Sequence, residues 1–143
     1  MPRLTPFLDP QSPPLIATGL LFMRVMAALL LLFIHGLPKL LDWSGELQRI
    51  EDPFGLGAPL TLGLAVFAEV VCPFLLVLGI AARLACLPVL AVLLIALLVV
   101  HPDWTLEQGQ FAWLLVALYG GLALTGPGGI RFPGFSGRTR LPD

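Results

Sequence analysis

Four apolar runs, each near the length that crosses a lipid bilayer, dominate this sequence. The first extends from Leu15 to Ile34 with Arg24 as its only charge, and the second from Leu60 to Ile80 with only Glu69. The third, Leu84 to Val100, has no charge, and the fourth runs from about Phe111 to Thr125. A helix needs about 20 mostly apolar residues to cross the hydrocarbon. The fourth run is short, so its helix is expected to begin inside the polar loop before it. Backbone groups in lipid must be satisfied within their own segment, which makes such runs helices rather than open strands. The expected architecture is all-α: an integral-membrane four-helix bundle with spans at about 15–41, 60–80, 84–100 and 108–125 in a membrane domain 15–129.

Composition narrows the alternatives. With 57% hydrophobic and 12% charged residues and a mean hydropathy of +0.93, a water-soluble globule is excluded. A formal net charge of -1 leaves no basic surface to neutralise a run of phosphates, so nucleic acid is excluded as a partner and the lipid bilayer is the expected one. The two cysteines, Cys72 and Cys86, lie inside apolar runs without zinc or dithiol spacing. Gly126-Pro127-Gly128-Gly129 lacks the Lys-Ser/Thr and helix start of a nucleotide phosphate loop. Residues 1–14, with five prolines, read as an irregular tail, and 130–143, with three arginines, as a flexible basic one. The first run is too long for a cleaved leader and continues into His35-Gly36-Leu37-Pro38-Lys39, so it is expected to remain.

An even number of spans puts both termini on one side, together with the Ala81–Arg83 turn. That side holds Arg3, Arg83, Arg131, Arg138 and Arg140, against Lys39 and Arg49 on the other. The bias favours cytoplasmic termini, with the acidic loops outside.

Arg24 and Glu69 sit near the midpoints of their runs, so equal depth and an ion pair between them are expected. Two readings of that polar core stay open: a structural clamp, and a part in ligand or proton handling. At about 100° per residue, Arg24, His35 and Lys39 share one helix face, with Gly36 and Pro38 able to alter its last turn. The outer helix ends also collect His101, Asp103, Glu107 and Gln110. A pocket of His35, Lys39, His101, Glu107 and Gln110 could hydrogen-bond a quinone carbonyl or hold an anion, since His exchanges protons near neutral pH. The plainer alternative is a set of interfacial residues snorkelling to headgroups. No metal site is assigned, because the two histidines are far apart in sequence and nothing fixes their geometry.

Several of these residues also form a familiar set. Arg24, the Phe33-x-His35-Gly36-x-x-Lys39-Leu40 run, Glu69 followed by Gly79 and Arg83, and the closing Gly126-Pro127-Gly128 resemble the DoxX family of small four-helix bacterial membrane proteins. The chain departs from the family pattern at Cys72-Pro73, where a Gly pair is usual, and at Gln110, where an acidic residue is usual, with Glu107 one turn away. The Ser and Asp usual after the Gly-Pro-Gly are absent. Some members look like membrane subunits of thiosulfate:quinone oxidoreductases, and others are associated with oxidative, thiol or quinone stress. The resemblance therefore implies a quinone-linked redox subunit in sulfur or thiol oxidation or in oxidative-stress defence. The sequence has no haem, flavin or iron–sulfur signature, so no cofactor is encoded in it; a quinone is the redox group implied, and electrons would need a partner oxidoreductase subunit. The competing expectation is a non-catalytic membrane scaffold or assembly subunit whose polar core is structural.

Overall fold

A leucine-rich chain with few charges can satisfy its backbone in lipid only as helix. In the computed structural model, which describes residues 13–131, every long element is helical. Helices α1 (Pro13–Leu41), α3 (Ala58–Leu78) and α4 (Ala82–Val100) are each long and apolar enough to cross a membrane. Between the first two lies the short α2 (Trp43–Arg49). The last helix, α5 (Leu106–Thr125), opens on a polar turn with Glu107, Gln108 and Gln110 and is not among those three. Except for residues 13, 14, 130 and 131, the tails expected at 1–14 and 130–143 lie outside the described residues, and so do Arg3, Arg138 and Arg140.

The helix ends follow local chemistry. The Asp42 carboxylate accepts the Gly45 N–H at 3.2 Å and starts α2. Helix α3 stops at Gly79, which has φ +73°. Its N–H donates to the Leu76 carbonyl while the Ile80 N–H reaches back to Leu75, a Schellman closure that only glycine adopts at low cost. At the start of α5, the Gln108 N–H donates to the Thr105 hydroxyl at 3.3 Å and the Thr105 N–H to the Gln108 side chain at 2.9 Å. This reciprocal cap draws the helix start back to Leu106, before the apolar run begins.

α1 packs on α3, α3 on α4, α4 most extensively on α5, and α5 closes back on α1. Inside this ring, Ala27 and Leu31 of α1 meet Cys72 and Leu76 of α3, Cys86 and Val89 of α4, and Leu115 and Leu122 of α5. The fully buried Tyr119 donates its hydroxyl to the Ala27 carbonyl at 3.0 Å, satisfying a phenol that has no access to water. Outside the ring the exposed side chains are large and apolar, among them Phe22, Phe33, Phe74, Leu84 and Leu124. In water they would drive aggregation; against acyl chains they are matched to their solvent, and the molecule is a helical membrane protein.

Three of the four ring helices contain one π-helical turn: Leu32–Gly36 in α1, Phe67–Val71 in α3 and Ala96–Val100 at the end of α4. Each closes with an N–H donated five residues back, from Leu37 to Leu32, from Cys72 to Phe67 and from His101 to Ala96. A proline follows each turn at the same offset: Pro38, Pro73 and Pro102. A proline ring clashes with the carbonyl four residues before it and has no N–H to offer that carbonyl. For Pro38 and Pro73 those carbonyls belong to Ile34 and Glu69, both inside the π turns, and the extra residue widens the helix to make room, whereas Pro102 lies past the end of α4, where His101 has already left helical geometry. Pro88 in α4 has no such turn before it. The first two wide turns meet, because Gly36 lies against the backbone carbonyl of Glu69, where a Cβ would collide with it.

Candidate functional site

Where α1 and α3 touch, Lys39 Nζ donates to both carboxylate oxygens of Glu69, at 2.7 Å to Oε1 and 2.5 Å to Oε2. The Glu69 side chain is 6% exposed and that of Lys39 19%. The pair neutralises itself in a medium where either charge alone would be expensive. Its neighbour His35, in the α1 π turn, lies with its ring centroid 6.1 Å from that of Phe111 on α5 and stacks on it. At the end of α4, His101 stacks on Trp104 at 4.0 Å with the rings almost parallel.

These groups line one cavity of about 470 Å³ between the four long helices at the Lys39 end. His35, Lys39, Glu69, His101, Thr61, Gln108, Glu51 and the Trp104 indole are its polar side chains; the rest of the wall is mainly aliphatic and aromatic, including Leu31, Leu93, Phe111 and Leu115. Ile50, Glu51, Pro53, Phe54 and Leu56 form its cover. Asp52 latches that cover: its carboxylate accepts the Gly57 N–H at 2.7 Å, the Thr61 hydroxyl at 2.8 Å and the Leu56 N–H at 3.0 Å. The Gly57 N–H first, then the Thr61 hydroxyl, hold the Asp52 carboxyl below its ordinary pKa. Volume and wall chemistry are those of a small-molecule site, with a few convergent polar groups in an apolar enclosure.

The sequence-derived candidates divide. His35, Lys39 and His101 line this one cavity, and Glu69 joins them rather than Arg24. Glu107 and Gln110 do not: both are exposed and border a shallow hollow with Leu106, Trp113 and Leu114 on another side of α5. Helical phase is the reason, since Gln108, between them, is the residue that faces the cavity. Asp52, Thr61 and Gln108 escaped the sequence reading. The signal for Asp52 was turn chemistry, an Asp followed by Pro53, Gly55 and Gly57. Among the described residues no group of three or more His, Cys, Asp or Glu could hold a metal ion.

The expected ion pair between Arg24 and Glu69 does not form. Arg24, 1% exposed, donates through Nη1 to the Pro127 carbonyl at 2.5 Å and through Nη2 to those of Ile130 at 3.0 Å and Val77 at 3.3 Å. Its Nε is buried without a partner. The equal-depth estimate counted the apolar run Leu15–Ile34, whereas the helix continues to Leu41. Packing then sets Arg24 beside Val77, eight residues beyond Glu69 on α3 and about 12 Å along its axis. The two buried charges belong to opposite halves of the bundle.

No curated protein and no solved structure matches the chain. A family model, DoxX, matches residues 19–102, which hold Arg24, His35, Lys39, Glu69 and His101, four of them around the cavity. Because that match covers more than half of its length, the chain belongs to the DoxX family.

Proposed function

We propose that this DoxX protein is a quinone-binding membrane subunit of a redox system acting in sulfur or thiol oxidation or in oxidative-stress defence. The observation that carries the reading is the cavity itself, an apolar chamber of about 470 Å³ with donors and aromatic faces at one end of the bundle. The residues fit a quinone head. Lys39 spends its short contacts on Glu69 but retains a third N–H; the His35 ring and the Gln108 amide are further hydrogen-bonding groups, and Phe111 offers a ring face. Exposed Leu64 and Phe54 at the cavity margin suit an isoprenoid tail leaving towards lipid. A bound quinone would supply the electron and proton chemistry that the chain's own side chains lack. In this reading the His35 ring hydrogen-bonds the head, Lys39 fixes the Glu69 carboxylate, and a partner oxidoreductase delivers electrons.

The accompanying topology has α5 as a fourth crossing and both termini on the cytoplasmic side of the inner membrane. It is supported by the closed helix ring and by Arg24, Arg83 and Arg131 gathering at the end opposite the acidic loops. The scaffold reading keeps one specific support, since Arg24 is engaged only by backbone carbonyls.

The test is to purify the chain in lipid nanodiscs and quantify co-extracted quinone by mass spectrometry. We expect near-stoichiometric quinone with the wild type and loss in His35→Ala, with helicity and melting unchanged. Quinone absent from both would remove the reading and leave the scaffold; quinone equal in both would remove His35 from the site.

A further inference from the structure

All seven acidic residues among the described ones, Asp42, Glu46, Glu51, Asp52, Glu69, Asp103 and Glu107, lie in the half of the bundle that holds the cavity or in its loops. The other end carries three guanidinium groups around one short segment. Arg24 donates to the carbonyls of Pro127 and Ile130. Arg83 Nη2 reaches the Thr125 carbonyl at 3.5 Å, the outer limit of a hydrogen bond. Arg131 uses only Nε, towards the Gly128 carbonyl at 3.0 Å. Arg24 and the Arg131 stem both press on Gly79, and Arg83 presses on Gly126.

None of the three has a carboxylate within ion-pair distance among the described residues, where the ion pairs are Lys39–Glu69, Arg49–Asp42 and Arg49–Glu46. Three cations therefore share a small region of the bundle end without a counter-charge, one of them almost fully buried. Carbonyl dipoles solvate a guanidinium but do not cancel its charge, and a bound anion would relieve the repulsion among the three. The segment has further anion donors. Gly126 and Gly128 have positive φ, and the N–H groups of Gly128 and Gly129 have no hydrogen-bond partner among the described residues. Arg83 and Arg131 are exposed, with most of their N–H groups free, so both can be reached from outside.

We propose that this end of the bundle binds a phosphate-bearing anion, held by Arg83, Arg131 and the free N–H groups of Gly128 and Gly129. Arg24 acts as a positioning residue that ties the Pro127–Ile130 segment to α1 and α3. Oxygen anions suit these donors, since a guanidinium pairs with phosphate through two parallel N–H groups. The site is separate from the cavity and does not depend on what the cavity binds.

Two sources offer the same chemistry, the headgroup of an anionic phospholipid and free phosphate, and one experiment separates them. The full chain is reconstituted in phosphatidylcholine nanodiscs with and without phosphatidylglycerol, and lipid retained on transfer to detergent is read by native mass spectrometry. Inorganic phosphate binding is titrated in parallel. At about five-fold per basic residue near a membrane surface, we expect Arg83→Gln with Arg131→Gln to lower phosphatidylglycerol retention by roughly 30-fold. Arg83→Lys with Arg131→Lys should keep most of it. Phosphate binding that depends on the same arginines, without preference for phosphatidylglycerol, would assign the site to free phosphate. Equal retention of both lipids with no phosphate binding, or binding unchanged in the double glutamine variant, would overturn the proposal. If the double variant fails to fold, Arg83→Gln and Arg131→Gln are read singly against the same ratio.

Discussion

Replacing Lys39 with methionine should be among the most damaging single changes at the Lys39 end of the bundle. Glu69 is 6% exposed in its side chain, and both oxygens accept from the one ammonium, at 2.5 and 2.7 Å. Removing that ammonium leaves a buried charge without compensation, a loss of about 3–5 kcal/mol. The reverse change is milder. Lys39 is 19% exposed near a helix end, and in Glu69→Met its amine can turn towards water, so the cost falls to about 1–2 kcal/mol. Removing both charges together as Lys39→Met with Glu69→Met leaves an apolar contact and should return stability to within about 1 kcal/mol of wild type. The double-mutant cycle thus carries a coupling of at least about 3 kcal/mol. Equilibrium unfolding of the purified variants by sodium dodecyl sulfate in mixed micelles, followed by far-ultraviolet circular dichroism, measures all four corners. A coupling below about 0.5 kcal/mol would refute the reasoning, because the pair would then be solvated well enough for its members to act independently.

Two further outcomes test the surroundings of the cavity. Gly36→Ala pushes a methyl group against the Glu69 carbonyl, so we expect a destabilisation of about 1–3 kcal/mol on the same unfolding scale and loosening of the Lys39–Glu69 contact; unchanged stability would mean that α1 and α3 do not meet there. The Asp52 latch should be pH-dependent. Its folded pKa lies below the unfolded value of about 3.9, so its contribution is complete above that value and is lost as pH falls through the lower one. Hydrogen exchange at the Leu56 and Gly57 amides, corrected for intrinsic rates, should show protection that fades on acidification in the wild type, while Asp52→Asn shows weak protection throughout.

The apolar runs made the membrane helices legible because hydrophobicity is a property of the segment itself. The runs expected at 60–80 and 84–100 correspond to α3, Ala58–Leu78, and α4, Ala82–Val100. Which residues meet was less accessible. His35, Lys39 and His101 could be gathered at one end by counting residues from the helix ends, and they line the same cavity. The partners of Arg24 could not be gathered this way, because they are carbonyls of Val77, Pro127 and Ile130, and a carbonyl leaves no trace in side-chain chemistry. Glu107 and Gln110 lie away from that cavity for a related reason: near a helix start, one residue changes the face by about 100°, and Gln108, itself exposed, is the one that lines it. The π turns of α1 and α3 had a signal that went unread, a proline two residues beyond each, at 38 and 73.

The Arg24 clamp also bears on the order in which the molecule is made. The Pro127 and Ile130 carbonyls lie 103 and 106 positions downstream of the guanidinium they accept from. At about 5–20 residues per second of synthesis, α1 must wait on the order of 5–20 s for them. Until then, of the three carbonyls that finally accept from this cation, only that of Val77, 53 positions downstream, can have been made. Water and lipid headgroups are the other groups able to solvate it meanwhile. Closure of the chain onto Pro127 and Ile130 is thus also the step that completes the solvation of its first charge.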